Sequence, residues 1–178
     1  EEVEFLASWG QIRIIPGVPE ALAAANRAGH PVIVATNQSG VARGYFTEAF
    51  VQATGERLNE LFAPTGARLD GYYYCPHHKD GHPPYNFECP DRKPGDGMLR
   101  RAAQDLGLTL RGAYMIGDRS ADVDLGTELG VTPVLVRTGH GRETERLLSD
   151  AFRSRGGKVF DAVPAAIQWI LSRDADTA

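Results

Sequence analysis

The sequence predicts an α/β fold, a Rossmann-like parallel sheet with helices on both faces. Two observations carry this. Short apolar runs alternate with stretches of helical period along the chain, as at 31–35 before 48–62 and 112–116 before 120–129. Several of these runs, such as Val32-Ile33-Val34-Ala35 and Val134-Leu135-Val136, are continuously apolar, the pattern of strands buried on both faces. A third observation lies just past the strand ends, where polar clusters stand. Thr36-Asn37, Arg92-Lys93 and Asp118 each come after a strand. Ligands bind outside the carboxyl ends of parallel strands, so these clusters are expected to converge at one edge.

Taken in order, residues 1–15 hold two apolar stretches, 3–6 and 12–15, around Trp9-Gly10. They are expected to form a small hairpin or a flap. A helix is predicted over 17–28, with Pro19 in its first turn, Val18, Leu22 and Ala25 on one face, and Gly29 as its stop. Residues 31–35 form a strand that runs into a polar loop beginning at Thr36. Thr47 is placed to cap a helix over 48–62, whose apolar contacts come from Phe50, Leu58, Leu61 and Phe62. Residues 71–74 are strand-like by their aromatics. The loop at 75–94 is rich in Pro and His and has no period; a structureless stretch of this length is functional or tied down. Helices are predicted at 97–106, 120–129, 142–154 and 164–171, and strands at 112–116, 134–136 and 158–160. Trp169 and Ile170 read as core. His140 and Arg142 could approach a substrate, although a solvated loop is the stronger reading. No repeat or second domain is evident, so 1–178 is expected to be one domain.

A chain of 178 residues, 42% hydrophobic and 24% charged, can bury a real core. A net charge of −4 gives no reason to expect nucleic acid as a partner. No apolar run approaches the roughly 20 residues needed to span a bilayer. The start, Glu-Glu-Val-Glu-Phe, lacks the basic segment of a signal peptide. Two cysteines, Cys75 and Cys89, suit a reducing compartment better than a disulfide scaffold. A cytoplasmic monomer is expected. Only Lys79, Lys93 and Lys158 are lysines, which draws attention to each.

A carboxylate such as Asp118 at a strand end is a hard oxygen ligand suited to Mg²⁺. It equally suits the cap of the next helix, with Asp122 on the first turn. Thr36 and Asn37 can donate to phosphate oxygens, and Lys93 can neutralise charge on a transferring group. Taken singly, Thr-Asn after a strand is most often a turn and a lysine most often a solvated surface charge. Together, in this order, they suit a phosphate held beside Mg²⁺.

Residues 32–40, Arg92-Lys93-Pro94 and Gly117-Asp118 resemble motifs two, three and four of the haloacid dehalogenase (HAD) superfamily, Mg²⁺-dependent phosphatases with an aspartate nucleophile. Thr36-Asn37-Gln38-Ser39-Gly40-Val41-Ala42-Arg43-Gly44 and Cys75-Pro76-His77-His78 narrow the resemblance to the heptose-bisphosphate and histidinol-phosphate phosphatases, over nearly the whole chain. The resemblance implies a HAD-like fold without a separate cap domain. It implies a phosphomonoesterase acting on a small phosphosugar, foremost at the C7 phosphate of D-glycero-D-manno-heptose 1,7-bisphosphate. Histidinol phosphate is the alternative substrate, and a non-catalytic zinc- or phosphosugar-binding relative the alternative of another class. It gives Thr36, Asn37 and Lys93 to the phosphate under attack, and Asp118 to Mg²⁺. Gln38, Ser39, Arg43 and Arg92 fall to the substrate, and Asp122 to a supporting position on the helix turn.

Two features depart from the family pattern. The family's nucleophile lies in an Asp-x-Asp-Gly strand, normally central in the sheet, and no such motif occurs in the 178 residues. The sequence therefore reads as beginning inside the flap that comes after that strand, with about 10–20 residues expected upstream. As it stands the chain is expected to be inactive by the family mechanism and to hold Mg²⁺ weakly. The second departure is in the loop at 75–94. The family binds structural Zn²⁺ with Cys-x-His and Cys-x-Cys. Cys75 and His77 match the first pair, whereas Cys89 and Asp91 match the second with Asp in place of the last Cys. Asp91, His78 or His82 could complete a tetrahedral Zn²⁺ site, or zinc could be weak or lost and the thiols free.

Overall fold

A computed structural model of the chain describes residues 5–125 and 129–175. The chain divides into two compact units, Glu1–Arg92 and Lys93–Ala178.

The first unit is built on two parallel strands, β1 (Ile33–Asn37) and β2 (Gly71–Cys75), joined through helix α2 (Glu48–Phe62) and preceded by helix α1 (Val18–Arg27). The α2 start is as expected: the Thr47 hydroxyl accepts from the Phe50 amide at 3.2 Å. Ala23, Phe62, Ala67 and Leu69 form the core, with Leu22, Val32, Val34, Leu58, Leu61 and Tyr72 against them. Side chains tie the segment entering β2. Asn26 accepts from the Arg68 amide at 2.9 Å and Asn59 from the Leu69 amide at 2.6 Å. The Asp70 carboxylate accepts from the Val32 amide at 2.8 Å and the Asp70 amide donates to the Val32 carbonyl at 2.7 Å, so side chain and backbone together start the pairing of the two strands.

Two expectations change here. β1 starts two residues later than predicted and runs through Thr36 and Asn37, which pair with Tyr74 and Cys75. These two polar residues are therefore strand residues and not the start of the loop. Among the described residues of 1–15 there is no hairpin; Trp9–Gln11 is a single 3₁₀ turn closed by the Gln11 side chain on the Ala7 and Ser8 amides.

The second unit is a three-stranded parallel sheet, order β3 (Tyr114–Gly117), β4 (Thr132–Val136), β5 (Lys158–Phe160). Helix α3 (Gly97–Leu106) precedes it, with Met98, Leu99 and Ala102 buried. The two faces of the central strand β4 meet different partners. Leu135 packs with Val123 and Phe152, whereas Val134 and Val136 pack with Ala166, Tyr114, Phe160 and Trp169. Apolar residues on both faces of β4 are what its unbroken apolar run predicted. Trp169 and Ile170 are core, on helix α7 (Val163–Ala175).

Several bounds differ in this unit: β4 starts at Thr132 and not at 134, and α7 spans Val163–Ala175 and not 164–171. The strand predicted from Gly112 starts at Tyr114, because Gly112 sits in a turn at φ +85°. The helix predicted at 120–129 is described only as α4 (Ser120–Val123), and residues 126–128 lie outside the described chain. The helix predicted at 142–154 is two helices, α5 (Gly141–Glu145) and α6 (Asp150–Ser154). The break is local chemistry: the Ser149 hydroxyl accepts from the Phe152 amide and starts a new helix. The Arg155 guanidinium then donates to the carbonyls of Val123, Leu125 and Val131, tying the end of α6 to the turn after α4 and the entry of β4. No helix among the described residues is long and apolar enough to cross a membrane.

Candidate active site

In the second unit the site grows from the end of β3. Gly117 is its last residue, and a Cβ there would overlap the Asp122 side chain. Glycine thus lets the Asp122 carboxylate fold back against the strand. One oxygen of that carboxylate accepts from the Arg119 amide at 3.0 Å, and the other meets Lys93 Nζ at 2.6 Å. Both side chains of this ion pair are nearly out of solvent, 11% and 9% exposed. Lys93 is thereby held in one position by a partner that balances its charge.

Asp118 is fixed separately. Its Oδ2 accepts from the His140 amide at 2.9 Å, and its carbonyl accepts from the Thr144 hydroxyl at 2.8 Å. The His140 ring lies 2.6 Å from the Arg119 guanidinium. The His140 amide is therefore seated on Asp118, whereas Arg142 is exposed, as the solvated reading expected. One carboxylate fits Mg²⁺ as one ligand of a site that is otherwise filled by water and substrate phosphate oxygens.

In the first unit Thr36 and Asn37 end β1. The Gln38 amide group donates to the Thr36 hydroxyl at 3.0 Å, which leaves the hydroxyl proton available for an acceptor. The Gln38 backbone donates to the Cys75 carbonyl at 2.8 Å, and the Arg43 amide donates to the Ser39 carbonyl at 3.0 Å, so residues 38–43 turn tightly off the sheet. A cavity of about 330 Å³ opens beside Thr36 and Gln38, with Val34, Phe50, Leu58 and Tyr72 among its apolar walls.

Arg43 and Arg92 are two partly buried cations of this unit. Among the described residues, neither is in an ion pair with a carboxylate, and Arg43 Nε is buried with no hydrogen-bond partner. Arg92 donates to the His77 carbonyl at 3.3 Å. Burial lowers the Arg92 pKa, the nearby Cys75 raises it, and the Arg43 charge lowers it further. Burial also lowers His78, followed by the Arg92 and Arg43 charges. A buried donor without an acceptor, beside a second guanidinium, calls for an anion.

The loop after β2 brings Cys75, His77 and Cys89 together, their ligand atoms within 4.8 Å of one another. Asp91, His78 and His82 are not members of that group. Both thiols are free. Burial pushes the Cys75 thiol up to about 11, Cys89 adds to this, and the His77 backbone and Arg92 oppose it. Two thiols and an imidazole at this spacing fit Zn²⁺. The loop also has anchors of its own. The Tyr85 hydroxyl donates to Glu48 Oε1 at 2.7 Å, Tyr74 to Glu48 Oε2 at 3.0 Å, and the His82 amide to the Ala42 carbonyl at 2.6 Å. Tyr85 and Phe87 place their rings 5.7 and 4.1 Å from that of His77.

Sequence reasoning gave Asp122 a supporting position on the helix turn but not its pairing with Lys93, and it missed Glu48 and Thr144. For Asp122 a signal existed: it stands one helical turn after Asp118, and only Gly117 makes room for it. For Glu48 and Thr144 the sequence carries none beyond an acid and a hydroxyl in helices.

The parallel α/β architecture and the residues at its strand ends are those of a HAD-like hydrolase, and the family model described as HAD-hydrolase-like matches residues 91–166. The D-glycero-beta-D-manno-heptose-1,7-bisphosphate 7-phosphatase of Pseudomonas putida is 42% identical over 130 residues, 73% of this chain and 71% of the relative. The D-glycero-D-manno-heptose-1,7-bisphosphate 7-phosphatase of Thermosynechococcus vestitus is 36% identical over 182 residues, 97% of this chain and 90% of the relative. A solved structure of D,D-heptose 1,7-bisphosphate phosphatase from B. bronchiseptica, complexed with magnesium and phosphate, matches with a TM-score of 0.84 at 31% identity. It covers 97% of this chain and 92% of that one. The chain belongs to the heptose-1,7-bisphosphate 7-phosphatase family of HAD-like hydrolases.

Proposed function

We propose that this chain is the phosphate- and substrate-binding body of a Mg²⁺-dependent phosphomonoesterase, a single phosphatase domain that takes the C7 phosphate from D-glycero-D-manno-heptose 1,7-bisphosphate. The observation that carries this reading is the pair Arg43 and Arg92, half-buried and, among the described residues, in no ion pair with a carboxylate, with Arg43 Nε buried and lacking a hydrogen-bond partner. A sugar with two phosphates supplies one anion for the reaction and a second for these guanidiniums. Histidinol phosphate carries one phosphate and leaves them unanswered.

In this reading Thr36 and Asn37 donate to the phosphoryl group that is removed, and Lys93, held by Asp122, neutralises its charge. Asp118 holds Mg²⁺, whose role is to draw charge from the phosphate oxygens. Gln38 and Ser39 line the sugar side, and Gln38 also orients the Thr36 hydroxyl. Cys75, His77 and Cys89 hold structural Zn²⁺, which stiffens the loop leading to Arg92. The free thiols suit the cytoplasm, and the chain acts as a monomer. The 178 residues contain no Asp-x-Asp-Gly, so the chain binds the substrate and does not turn it over.

Calorimetric titration of the 178-residue chain in Mg²⁺ tests this, with heptose 1,7-bisphosphate against histidinol phosphate. The bisphosphate is expected to bind at least ~10-fold more tightly, the worth of one added charge-assisted contact. Arg43→Ala should erase most of the difference. Equal binding of the two overturns the substrate assignment, and sustained phosphate release overturns the predicted inactivity.

A further inference from the structure

Resting on the zinc reading above, we infer that the Cys75–His77–Cys89 centre has three protein ligands and an open fourth position, which takes a small anionic donor from solution. Zn²⁺ bound by N and S ligands is four-coordinate and tetrahedral. Three ligand atoms lie together here, and the three other side chains that could close the shell do not join them. His78 is engaged elsewhere: its Nδ1 accepts from the Asp80 amide at 3.2 Å and lies 3.7 Å from the Asp80 carboxylate. The His82 backbone is pinned to the Ala42 carbonyl. Asp91 stands where a fourth ligand would come in chain order, and its carboxylate is outside the cluster.

Three ligands suffice because the loop is held without the metal. Glu48 binds Tyr85, Tyr85 and Phe87 flank the His77 ring, and Ala42 holds His82. Donors fixed in advance lose little entropy on binding an ion, so a closed shell is not needed to keep it. Solvent reaches the cluster on the side of His77 and Cys89, which are partly exposed, whereas Cys75 is fully buried. The charge preference of the open position follows from the donor set. Two thiolates and a neutral imidazole just balance Zn²⁺, and the Arg92 guanidinium on the His77 carbonyl adds a positive charge. A small anionic donor, a thiolate above all, matches both the ion and this field.

The experiment uses the whole chain in a thiol-free reductant, loaded with Co²⁺ as a coloured stand-in for zinc. One equivalent is expected to bind. Asp91→Ala should leave the cobalt bands unchanged and the affinity within about twofold, because a residue outside the shell contributes no bond. Adding 2-mercaptoethanol to the unaltered chain should raise the thiolate-to-cobalt charge-transfer absorption by about half, three thiolates replacing two. A roughly tenfold loss of affinity in Asp91→Ala, or a band shift, overturns the open position and makes Asp91 the fourth ligand. Uptake of cobalt with no response to the thiol overturns it as well, since another group then fills the vertex. No cobalt uptake at all overturns the zinc reading together with this one.

Discussion

The two units handle charge in opposite ways. In Lys93–Ala178 the charges at the strand end are answered inside the protein: Lys93 by Asp122, Asp118 by the His140 amide. In Glu1–Arg92 two guanidiniums have no carboxylate partner among the described residues, and two thiols stand beside an imidazole without a disulfide. The first arrangement fixes groups that must keep one position while a phosphate reacts. The second keeps sites ready for species that come from solution, an anion and a metal ion. Compensation costs nothing further on binding but binds nothing by itself, whereas an uncompensated site destabilises the resting protein and gains on binding.

The largest expected effect comes from breaking the compensated side. Asp122→Asn removes the carboxylate that balances the buried Lys93 charge. It should cost about 3–5 kcal/mol, read as a shift of the urea denaturation midpoint. Removing both charges in Asp122→Asn with Lys93→Met should restore most of that loss, because a buried pair replaced as a pair is nearly neutral. A single-variant loss under about 1 kcal/mol would mean that water reaches the pair and that the contrast between the units is not one of burial.

Alkali should find the first unit. Burial, with the Tyr74 hydroxyl second, raises the Tyr72 pKa from its ordinary 10.0 to about 12. In the unfolded chain Tyr72 loses its proton near pH 10, whereas in the folded chain it keeps it until about 12. The unfolded state then binds fewer protons, so stability falls with rising pH across that window. The loss is on the order of 2–3 kcal/mol by about pH 12. Denaturation curves at about pH 9 and about pH 11, on either side of the unfolded value, check this, and Tyr72→Phe should flatten the difference. An unchanged slope in Tyr72→Phe would assign the alkaline loss to other groups.

How far the sequence anticipated this contrast depended on how local each feature is. Helix α2 was legible to the residue because Thr47 caps it, and α3 because its apolar face and terminal Gly107 lie close together. The strand-end residues of the candidate site were legible through family motifs. What escaped was set by contacts across the chain. Thr36 and Asn37 read as loop until β2 was there to pair with them. The 142–154 stretch read as one helix, and the Ser149 cap divides it. Glu48 was only a first-turn acid until Tyr74 and Tyr85 reached it. The Arg43 and Arg92 charges were visible from the start, but that no carboxylate among the described residues pairs with them belongs to the folded chain alone.

Glu48 gives the next test, smaller because the site is partly exposed. Glu48→Ala removes the acceptor of both phenols and should cost about 1–2 kcal/mol. Its local consequence is sharper: the loop from 78 to 90 should become open to limited proteolysis while α3 and the second unit stay protected. Tyr85→Phe should show the loop effect with less of the global one, since Tyr74 keeps its bond. Equal protection of the loop in both variants would shift its anchoring to His82 and the aromatic contacts around His77.

The smallest effect separates burial from charge within the second unit. Arg137 grips Glu145 with two bonds of 2.7 Å and reaches Asp161 at 2.9 Å, and these side chains are 31%, 33% and 81% exposed. The Arg137 hydrogen bonds hold the Glu145 carboxyl below its usual value. A lowered folded pKa contributes stability above the unfolded pKa, and that stability is lost as pH falls through the folded value. Acid should therefore weaken the second unit through Glu145, and Glu145→Gln should lose that part of the acid slope. Water and salt screen this pair, as they do not screen Lys93 and Asp122. Raising NaCl to about 0.5 M should shrink the effect of Glu145→Gln, because the Debye length falls to roughly half its physiological value. The effect of Asp122→Asn should stay unchanged. If both variants respond alike to salt, the buried pair is solvated in solution, and the second unit does not differ from the first in the way its charges are held.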